Sequence, residues 1–239
     1  MDMKFIIAKY TKKFIIPNNL IEYINENLPT NNKKITNIAI FSTVQFLSVI
    51  DEIKTKLNNN NFFTLSSIPD RAMYKYQILG CDSYSDNLNL DIDIIDVFLF
   101  IGNGHFHPNA LILAQEKLKN IKPIFILNPL NSTISLIETT WINKYLKKRK
   151  TNLSKFYYSD IIGIFVSSKW GQEYKDLVFK IRNKYPKKQF YFFIADNFSL
   201  EEIDNFNFIQ CWINTACPRI AQDDILNHKI PIINAKDIL

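Results

Sequence analysis

The sequence predicts an α/β protein of two small Rossmann-like domains, each with a roughly four-stranded parallel sheet flanked by helices. Continuous apolar runs typical of buried strands alternate with stretches whose apolar residues recur every three or four positions, as in helices. This alternation occurs twice along the 239 residues. Strands that alternate with helices in this way indicate parallel sheets covered by helices.

In the first half, apolar runs predict strands at residues 38–41, 62–65, 97–101 and 123–127. Helices are predicted at residues 20–28, 44–57 and 110–118. The longest of these follows Ser42 and Thr43, which are good N-cap residues.

In the second half, strands are predicted at residues 161–166, 189–194, 208–213 and 231–234. Helices are predicted at residues 173–184 and 200–205, after a long amphipathic and basic stretch at 134–150 that joins the halves. We therefore predict an N-terminal linker at 1–19, one α/β domain at 20–134 and a second at 135–239.

The composition excludes several classes of protein. Hydrophobic residues make up 47% of the chain, enough for a substantial core. The apolar segment Phe5-Ile6-Ile7 is too short for a secretory signal, and no run reaches the roughly 20 apolar residues of a membrane helix. A cytosolic protein without membrane contact is expected. The net charge of +6 comes from scattered lysines without an aromatic-basic RNA motif, so no direct nucleic-acid binding is predicted.

The three cysteines are an odd number and are widely spaced, which argues against a disulfide framework and leaves a metal or redox role open. Cys211 lies within a predicted strand and is interpreted as a small core residue. Cys217 comes directly after that strand, before Pro218 and Arg219. Positive charge favours the thiolate that binds metal, although a buried inert cysteine is the alternative.

Glycines and histidines follow the third predicted strand. Gly102 and Gly104 lie between a strand and a helix, where backbone N–H groups can face an anion. The full G-x-G-x-x-G pattern is missing, so the evidence for dinucleotide binding is weak. His105 and His107 could join cysteines in a zinc site, but no metal-ligand spacing supports this, and a structural or substrate-contacting role is the alternative.

Lys169 and Gln172 follow another predicted strand, where they could hold a carboxylate or a phosphate. A solvated lysine is the alternative for a single such residue. The stronger argument is convergence, because the unusual residues of both halves fall on loops after strands. Open α/β sheets place their ligand sites at that edge.

Four of these segments together resemble the diphthamide synthase family in order and spacing. The resemblance covers residues 38–239 and is specific only because all four occur together. The segments are Gln77-Ile78-Leu79-Gly80-Cys81-Asp82, Gly102-Asn103-Gly104-His105-Phe106-His107-Pro108, Ser168-Lys169-Trp170-Gly171-Gln172 and Asn214-Thr215-Ala216-Cys217-Pro218-Arg219-Ile220.

The resemblance implies three related α/β domains that each contribute one cysteine to a single [4Fe–4S] cluster. Cys81 matches the ligand of the middle domain, and Cys217 matches that of the last domain. The implied activity is transfer of the 3-amino-3-carboxypropyl group of S-adenosylmethionine to a histidine of translation elongation factor 2. The implied cofactor-binding residues are Gly102, Gly104, His105, His107, Lys169, Gln172 and Arg219.

Some features depart from the family pattern. The first domain and its cysteine have no counterpart, so residues 1–19 are expected to be its remnant, and Asn128-Pro129 stands where Asp-Pro is expected. We therefore expect a dimer or higher complex in which another chain supplies the missing domain and third cysteine. The alternatives are a non-catalytic scaffold subunit and an unrelated α/β ligand- or zinc-binding protein.

Overall fold

The computed structural model describes residues 14–28, 36–82, 84–104, 106–169, 175–196, 200–222, 226 and 229–239. The chain divides into two compact units, Met1–Ile142 and Asn143–Leu239. Each unit is built around its own sheet of mostly parallel strands flanked by helices. The predicted α/β class is therefore confirmed.

The first unit contains a sheet with strand order β2-β1-β3-β4-β5. All neighbours are parallel except β4 and β5, which are antiparallel. Its described elements are α1 (Leu20–Glu26), β1 (Thr36–Ser42), α2 (Ile50–Asn58), β2 (Phe62–Leu65), β3 (Val97–Ile101), α3 (Pro108–Ala114), β4 (Ile124–Asn128) and β5 (Thr133–Leu136), with 3₁₀ turns at Val44–Val49 and Ser85–Leu88.

The strands at the centre of this sheet are the continuous apolar runs of the sequence. Every residue of β3 is buried, as are all of β4 except its last residue. The apolar side chains of α2 at Ile50, Ile53 and Leu57 recur at helical spacing and are buried in the same core. Burial on both faces explains why these strands lack polar alternation.

Two elements of this unit differ from the prediction. The segment predicted as one helix at 44–57 begins as a 3₁₀ turn, whose buried residues Phe46 and Val49 are spaced by its three-residue period. Residues 133–136 form β5, whereas the sequence predicted an amphipathic stretch that joins the halves from residue 134. Only half-buried side chains of β5 face inward, as at a sheet edge. Because β5 pairs with β4, the first unit extends past the predicted division at residue 135.

The second unit contains a parallel sheet with strand order β7-β6-β8-β9. Helix α4 (Thr139–Tyr158) leads into it across the division between the units. The described elements that follow are β6 (Ile161–Ser167), α5 (Lys175–Lys184), β7 (Gln189–Ala195), α6 (Leu200–Ile203), β8 (Cys211–Asn214), α7 (Arg219–Gln222) and β9 (Ile232–Asn234), before a 3₁₀ turn at Ala235–Asp237.

Strand β8 begins three positions later than its apolar run predicts. Its ladder with β6 starts where Cys211 lies opposite Ile162. The preceding aromatic residue, Phe208, instead packs its ring edge-on against Tyr191 of β7, with ring centroids 5.0 Å apart. An apolar run therefore predicted the strand but not its first residue.

In both sheets, the next two strands in the chain lie on opposite sides of the first strand. In the first unit β2 and β3 lie on opposite sides of β1, and in the second β7 and β8 lie on opposite sides of β6. The junctions β1/β3 and β6/β8 are therefore topological switch points, where ligand crevices open at the carboxyl ends of parallel strands. Within the described ranges, no helix has both the length and the apolar character required to cross a membrane.

Candidate functional site

The chain that carries Cys81 returns to the carboxyl end of β1. The N–H of Ser42 donates to the carbonyl of Tyr76 at 2.6 Å, and the carbonyl of Ser42 accepts from the N–H of Ile78 at 2.9 Å. These bonds form a parallel bridge between Ser42 and Gln77. They bring the Cys81 segment to the switch point of the first sheet.

A buried carboxylate holds the turn that contains Cys81. Asp82 is fully buried, and its carboxylate accepts from the N–H of Leu79 at 2.9 Å and that of Arg71 at 3.1 Å. The N–H of Asp82 donates to the carbonyl of Leu79 at 2.9 Å, which closes a four-residue turn. Cys81 is the third residue of that turn and is half-buried.

Replacing Asp82 with alanine should lower the free energy of unfolding by about 1–3 kcal/mol, because two partly buried N–H groups lose their acceptor. Burial raises the pKa of Asp82 above its ordinary value, and the two N–H bonds offset this only in part. The folded state then holds the proton more tightly, so wild-type stability falls as pH rises between the ordinary and raised pKa values.

Urea unfolding across that pH range measures both the loss of stability in Asp82→Ala and the pH dependence of wild-type stability. The stability difference between wild type and Asp82→Ala should narrow as pH rises through the window, while Asp93→Ala, at an exposed position, should follow wild type throughout. A constant difference across the window would contradict the proposed desolvation of Asp82.

The loop after β3 packs directly on the Cys81 turn. A Cβ atom at Gly80 would lie 2.1 Å from Cζ of Phe106, so only glycine permits this contact. His107 lies beside Phe106, with ring centroids 5.0 Å apart, and is nearly parallel to Phe100 at 6.2 Å. The structure thus brings together the Cys81 turn and the predicted glycine-histidine loop, and it gives His107 aromatic neighbours.

The two glycines of this loop have different roles. The N–H of Gly102 donates to the carbonyl of Leu127 in β4 at 3.0 Å, so it extends the sheet and is not available to an anion. Gly104 is exposed and has a φ of +74°, which favours glycine. Of the two glycines, Gly104 is therefore the better candidate for contact with a ligand. His105 lies outside the described residues.

The Cys217 loop is anchored by asparagines at the ends of β8 and β9. The side-chain amide of Asn214 donates to the carbonyl of Cys217 at 2.8 Å and to Oδ1 of Asn234 at 2.7 Å. Nδ2 of Asn234 in turn donates to the carbonyl of Pro218 at 3.2 Å. These bonds hold the half-buried Cys217 at the carboxyl edge of the second sheet.

The predicted basic residues of this unit lie on neighbouring connections. Arg219 begins α7 after β8 and is exposed. Lys169 is exposed after β6, and its N–H donates to Oγ of Ser167 at 3.2 Å. Both connections follow strands of the β6/β8 switch point, whereas Gln172 lies outside the described residues.

Cys211 differs from the other two cysteines, and its prediction as a core residue is confirmed. Its side chain is fully buried among apolar residues of the second core. Burial raises the pKa of the Cys211 thiol to about 12, so it stays protonated near neutral pH. The thiols suited to bind metal are therefore Cys81 and Cys217.

Two thiols do not make a complete metal site. Among the residues that the structure describes, no three His, Cys, Asp or Glu side chains form a group that could hold a metal ion. The donor chemistry still fits an iron–sulfur cluster, since thiolates are its usual protein ligands. A further thiolate would have to come from outside these 239 residues, because Cys211 is sealed in a core.

Sequence reasoning did not identify the residues that position these loops. Asp82 and Asn214 lie within the quoted motifs, and their polar side chains next to apolar runs were the available signal. Phe106 had no such signal, because its contact with Gly80 depends on the register of two loops. Asn234 is separated from Asn214 by 20 positions, so only the pairing of β8 with β9 brings them together.

The chain is therefore an α/β protein in which each unit carries a half-buried cysteine near the carboxyl ends of its parallel strands. Residues 1–238 match the model of the family of diphthamide synthesis proteins. This chain belongs to that family.

Relatives with curated names agree with this membership. The 2-(3-amino-3-carboxypropyl)histidine synthase of Methanocaldococcus jannaschii is 34% identical over 164 residues, which cover 67% of this chain and 44% of that protein. The synthase of the same name from Pyrococcus horikoshii is 25% identical over 224 residues, covering 92% of this chain and 61% of that one. This chain thus spans less than two thirds of the length of these relatives.

Solved structures show the same fold. The crystal structure of Dph2 from Pyrococcus horikoshii with a 4Fe-4S cluster aligns with a TM-score of 0.70 at 21% identity, covering 95% of this chain and 62% of that one. A second crystal structure of the same protein gives a TM-score of 0.67 at 21% identity, covering 92% and 61%.

Proposed function

We propose that this chain is a subunit of a 2-(3-amino-3-carboxypropyl)histidine synthase. The proposed reaction transfers the 3-amino-3-carboxypropyl group of S-adenosylmethionine to a histidine of translation elongation factor 2 in the cytoplasm. The proposal rests mainly on the difference in burial among the cysteines. Cys81 and Cys217 are half-buried in hydrogen-bonded loops at the carboxyl edges of the sheets, whereas Cys211 is fully buried in a core.

In this proposal Cys81 and Cys217 are two of three thiolate ligands of one [4Fe–4S] cluster, and the third comes from a partner chain. Three thiolates leave one iron open to a donor group of S-adenosylmethionine. When bound and reduced, the cluster supplies the electron that breaks the bond between sulfur and Cγ.

The other residues of the chain hold and orient the substrate. We assign binding of S-adenosylmethionine to the loops that carry Gly102, Gly104, His105 and His107 in the first unit and Lys169, Gln172 and Arg219 in the second. Gly104 is the exposed glycine, and the positive charges of Lys169 and Arg219 suit the carboxylate of the substrate. Asp82 and Asn214 act as positioning residues, because they fix the backbones on either side of the cysteines.

Anaerobic reconstitution tests the proposal. Iron, acid-labile sulfide and the visible spectrum are measured on this chain alone and after co-expression with a homologous chain that carries a further cysteine. A four-iron signal is expected only in the mixture. With a chemical reductant such as dithionite to reduce the cluster, the mixture should then transfer the labelled 3-amino-3-carboxypropyl group of S-adenosylmethionine to elongation factor 2.

A supporting subunit is the second candidate, since this chain offers only two suitable thiols. If the chain is a supporting subunit, the partner chain alone holds the cluster and catalyses the transfer. Neither the cluster nor the transfer then requires Cys81 or Cys217. Zinc without sulfide in every sample would contradict both candidates.

A further inference from the structure

An exposed carboxylate lies at the carboxyl edge of the second sheet, directly after β7. Strands β6 and β7 pair in parallel, and the last pair of their register joins Ser167 with Ala195. Asp196 therefore follows β7 at the level where Ser168 follows β6. The N–H of Ser168 donates to the carbonyl of Ala195 at 3.1 Å, which continues the alignment past the end of β6. The register thus places Asp196 beside the connection that carries Lys169.

The carboxylate of Asp196 is held on one oxygen and is open on the other. The hydroxyl of Ser168 donates to Oδ1 of Asp196. Asp196 is exposed, and within the described ranges no second group bonds its carboxylate. Asp237, which follows β9 at the same edge, already accepts two hydrogen bonds from the guanidinium of Arg149. Of these two carboxylates, Asp196 is therefore the one that can accept from a ligand.

The matching position in the first unit has no carboxylate. The two sheets share the order of strands around their first strand, so β2 corresponds to β7 and β1 to β6. The residue after β2 is Ser66, whose hydroxyl donates to the carbonyl of Ile40 at 2.8 Å. The end of β1 is covered by the chain around Gln77, which bridges to Ser42. An open carboxylate at this position is thus a property of the second unit.

We propose that the carboxylate of Asp196 accepts hydrogen bonds from the ribose hydroxyls of S-adenosylmethionine. The inference rests on the proposed function, which makes this compound the substrate. Its ribose carries two adjacent hydroxyl donors, and an ionised carboxylate is an acceptor on both oxygens. In α/β units that bind dinucleotides, an acidic residue beyond the first strand and helix accepts from the ribose 2′-hydroxyl. Asp196 likewise lies beyond β6 and α5, at the end of the next strand.

The order of the strands gives the bound substrate a direction. Asp196 follows β7, Lys169 follows the neighbouring β6, and Cys217 and Arg219 follow β8 on the far side of β6. Adjacent strands lie about 4.8 Å apart, so the ends of β7 and β8 are about 10 Å apart. With its ribose on Asp196, the substrate extends along this edge and brings its carboxylate toward the cations. The bond between sulfur and Cγ then lies on the side of Cys217.

Equilibrium binding of 5′-methylthioadenosine to the full chain tests this contact. The compound is what remains of S-adenosylmethionine once the 3-amino-3-carboxypropyl group has left, and it keeps both ribose hydroxyls. Wild type should bind the 2′-deoxy analogue roughly 10- to 100-fold more weakly, because a hydrogen bond to a charged group is lost. Asp196→Ala should bind 5′-methylthioadenosine more weakly than wild type does and should bind the two compounds nearly equally, because the partner of the hydroxyl is gone.

Asp160→Ala is the matched control. Asp160 is also exposed and directly precedes β6, so this variant removes the same charge from the opposite edge of the same sheet. It should keep the wild-type preference for the ribose hydroxyl. An undiminished preference in Asp196→Ala would overturn the proposal, as would a wild type that fails to bind 5′-methylthioadenosine or binds both compounds equally.

This measurement needs no iron, reductant or elongation factor, so its failure is separate from failure of the proposed function. A chain that recognises the ribose through Asp196 but forms no cluster with any partner would refute the synthase and leave the contact standing. A synthase that forms its cluster and transfers the group, but whose Asp196→Ala variant keeps the full preference, would refute the contact alone.

Discussion

Replacing either Cys81 or Cys217 with alanine should abolish the [4Fe–4S] signal of the reconstituted complex and group transfer with it. In the proposed site each substitution removes one of three thiolates, and two thiolates are too few to hold a four-iron cluster against loss to solvent. The measurements are iron and sulfide per complex, the visible spectrum and incorporation of label into elongation factor 2. The expected loss is complete for both variants.

Cys211→Ala is the matched control, because it also removes a thiol from this chain. Its side chain is fully buried and its pKa of about 12 keeps it protonated. The variant should bind the same amount of iron as wild type, with lower stability from the cavity left in the core. Unchanged iron content in Cys81→Ala and Cys217→Ala would instead identify the chain as a supporting subunit.

The central strands could be predicted almost to the residue, because burial on both faces leaves a continuous apolar run. Strand β3 occupies the five predicted positions, and β4 lies one position later than predicted. The edge strand β2 occupies its four predicted positions because it is also an apolar run. The edge strand β5 could not be predicted, since Thr133 and Ser135 are exposed and only the pairing with β4 makes the segment a strand. An apolar edge strand such as β2 can thus be predicted, whereas a polar edge strand such as β5 depends on its tertiary pairing.

The candidate site shows the same limit. The rule that loops after parallel strands carry function indicated Cys217, whereas Cys81 was assigned a ligand role through the resemblance to the diphthamide synthase family. The rule could not show that Gly102 uses its N–H in the sheet, because that bond depends on the position of Leu127 in a neighbouring strand. The bonds that hold the Cys217 loop join residues distant in sequence, so the sequence alone did not predict them.

Asp237→Ala should lower the free energy of unfolding of the second unit by about 3–5 kcal/mol, because it breaks a buried ion pair. Asp237 accepts two hydrogen bonds from the guanidinium of Arg149 in α4, at 2.9 and 2.8 Å. The side chains are only 10% and 4% exposed, so the substitution leaves a guanidinium largely buried without this carboxylate. The melting temperature should fall by roughly 2–4 °C for each kcal/mol in a chain of this size.

A double-mutant cycle separates the ion pair from other losses. Asp237→Ala combined with Arg149→Ala should cost clearly less than the sum of the two single changes, because the double variant buries no uncompensated charge. Lys236→Ala, at the exposed neighbouring position, is the control and should change the melting temperature little. Strict additivity of the two single changes would contradict a coupled pair.

Asp237→Ala should also make the loop that carries Cys217 more mobile. Asp237 accepts from the N–H of Asn234 at 3.1 Å, and Asn234 bonds both Asn214 and Pro218. Loss of the carboxylate therefore loosens the anchor of Cys217, whose alkylation rate should rise at temperatures well below unfolding. Cys211, sealed in the core, should stay unreactive in the same sample, since a rise at both thiols would indicate global unfolding.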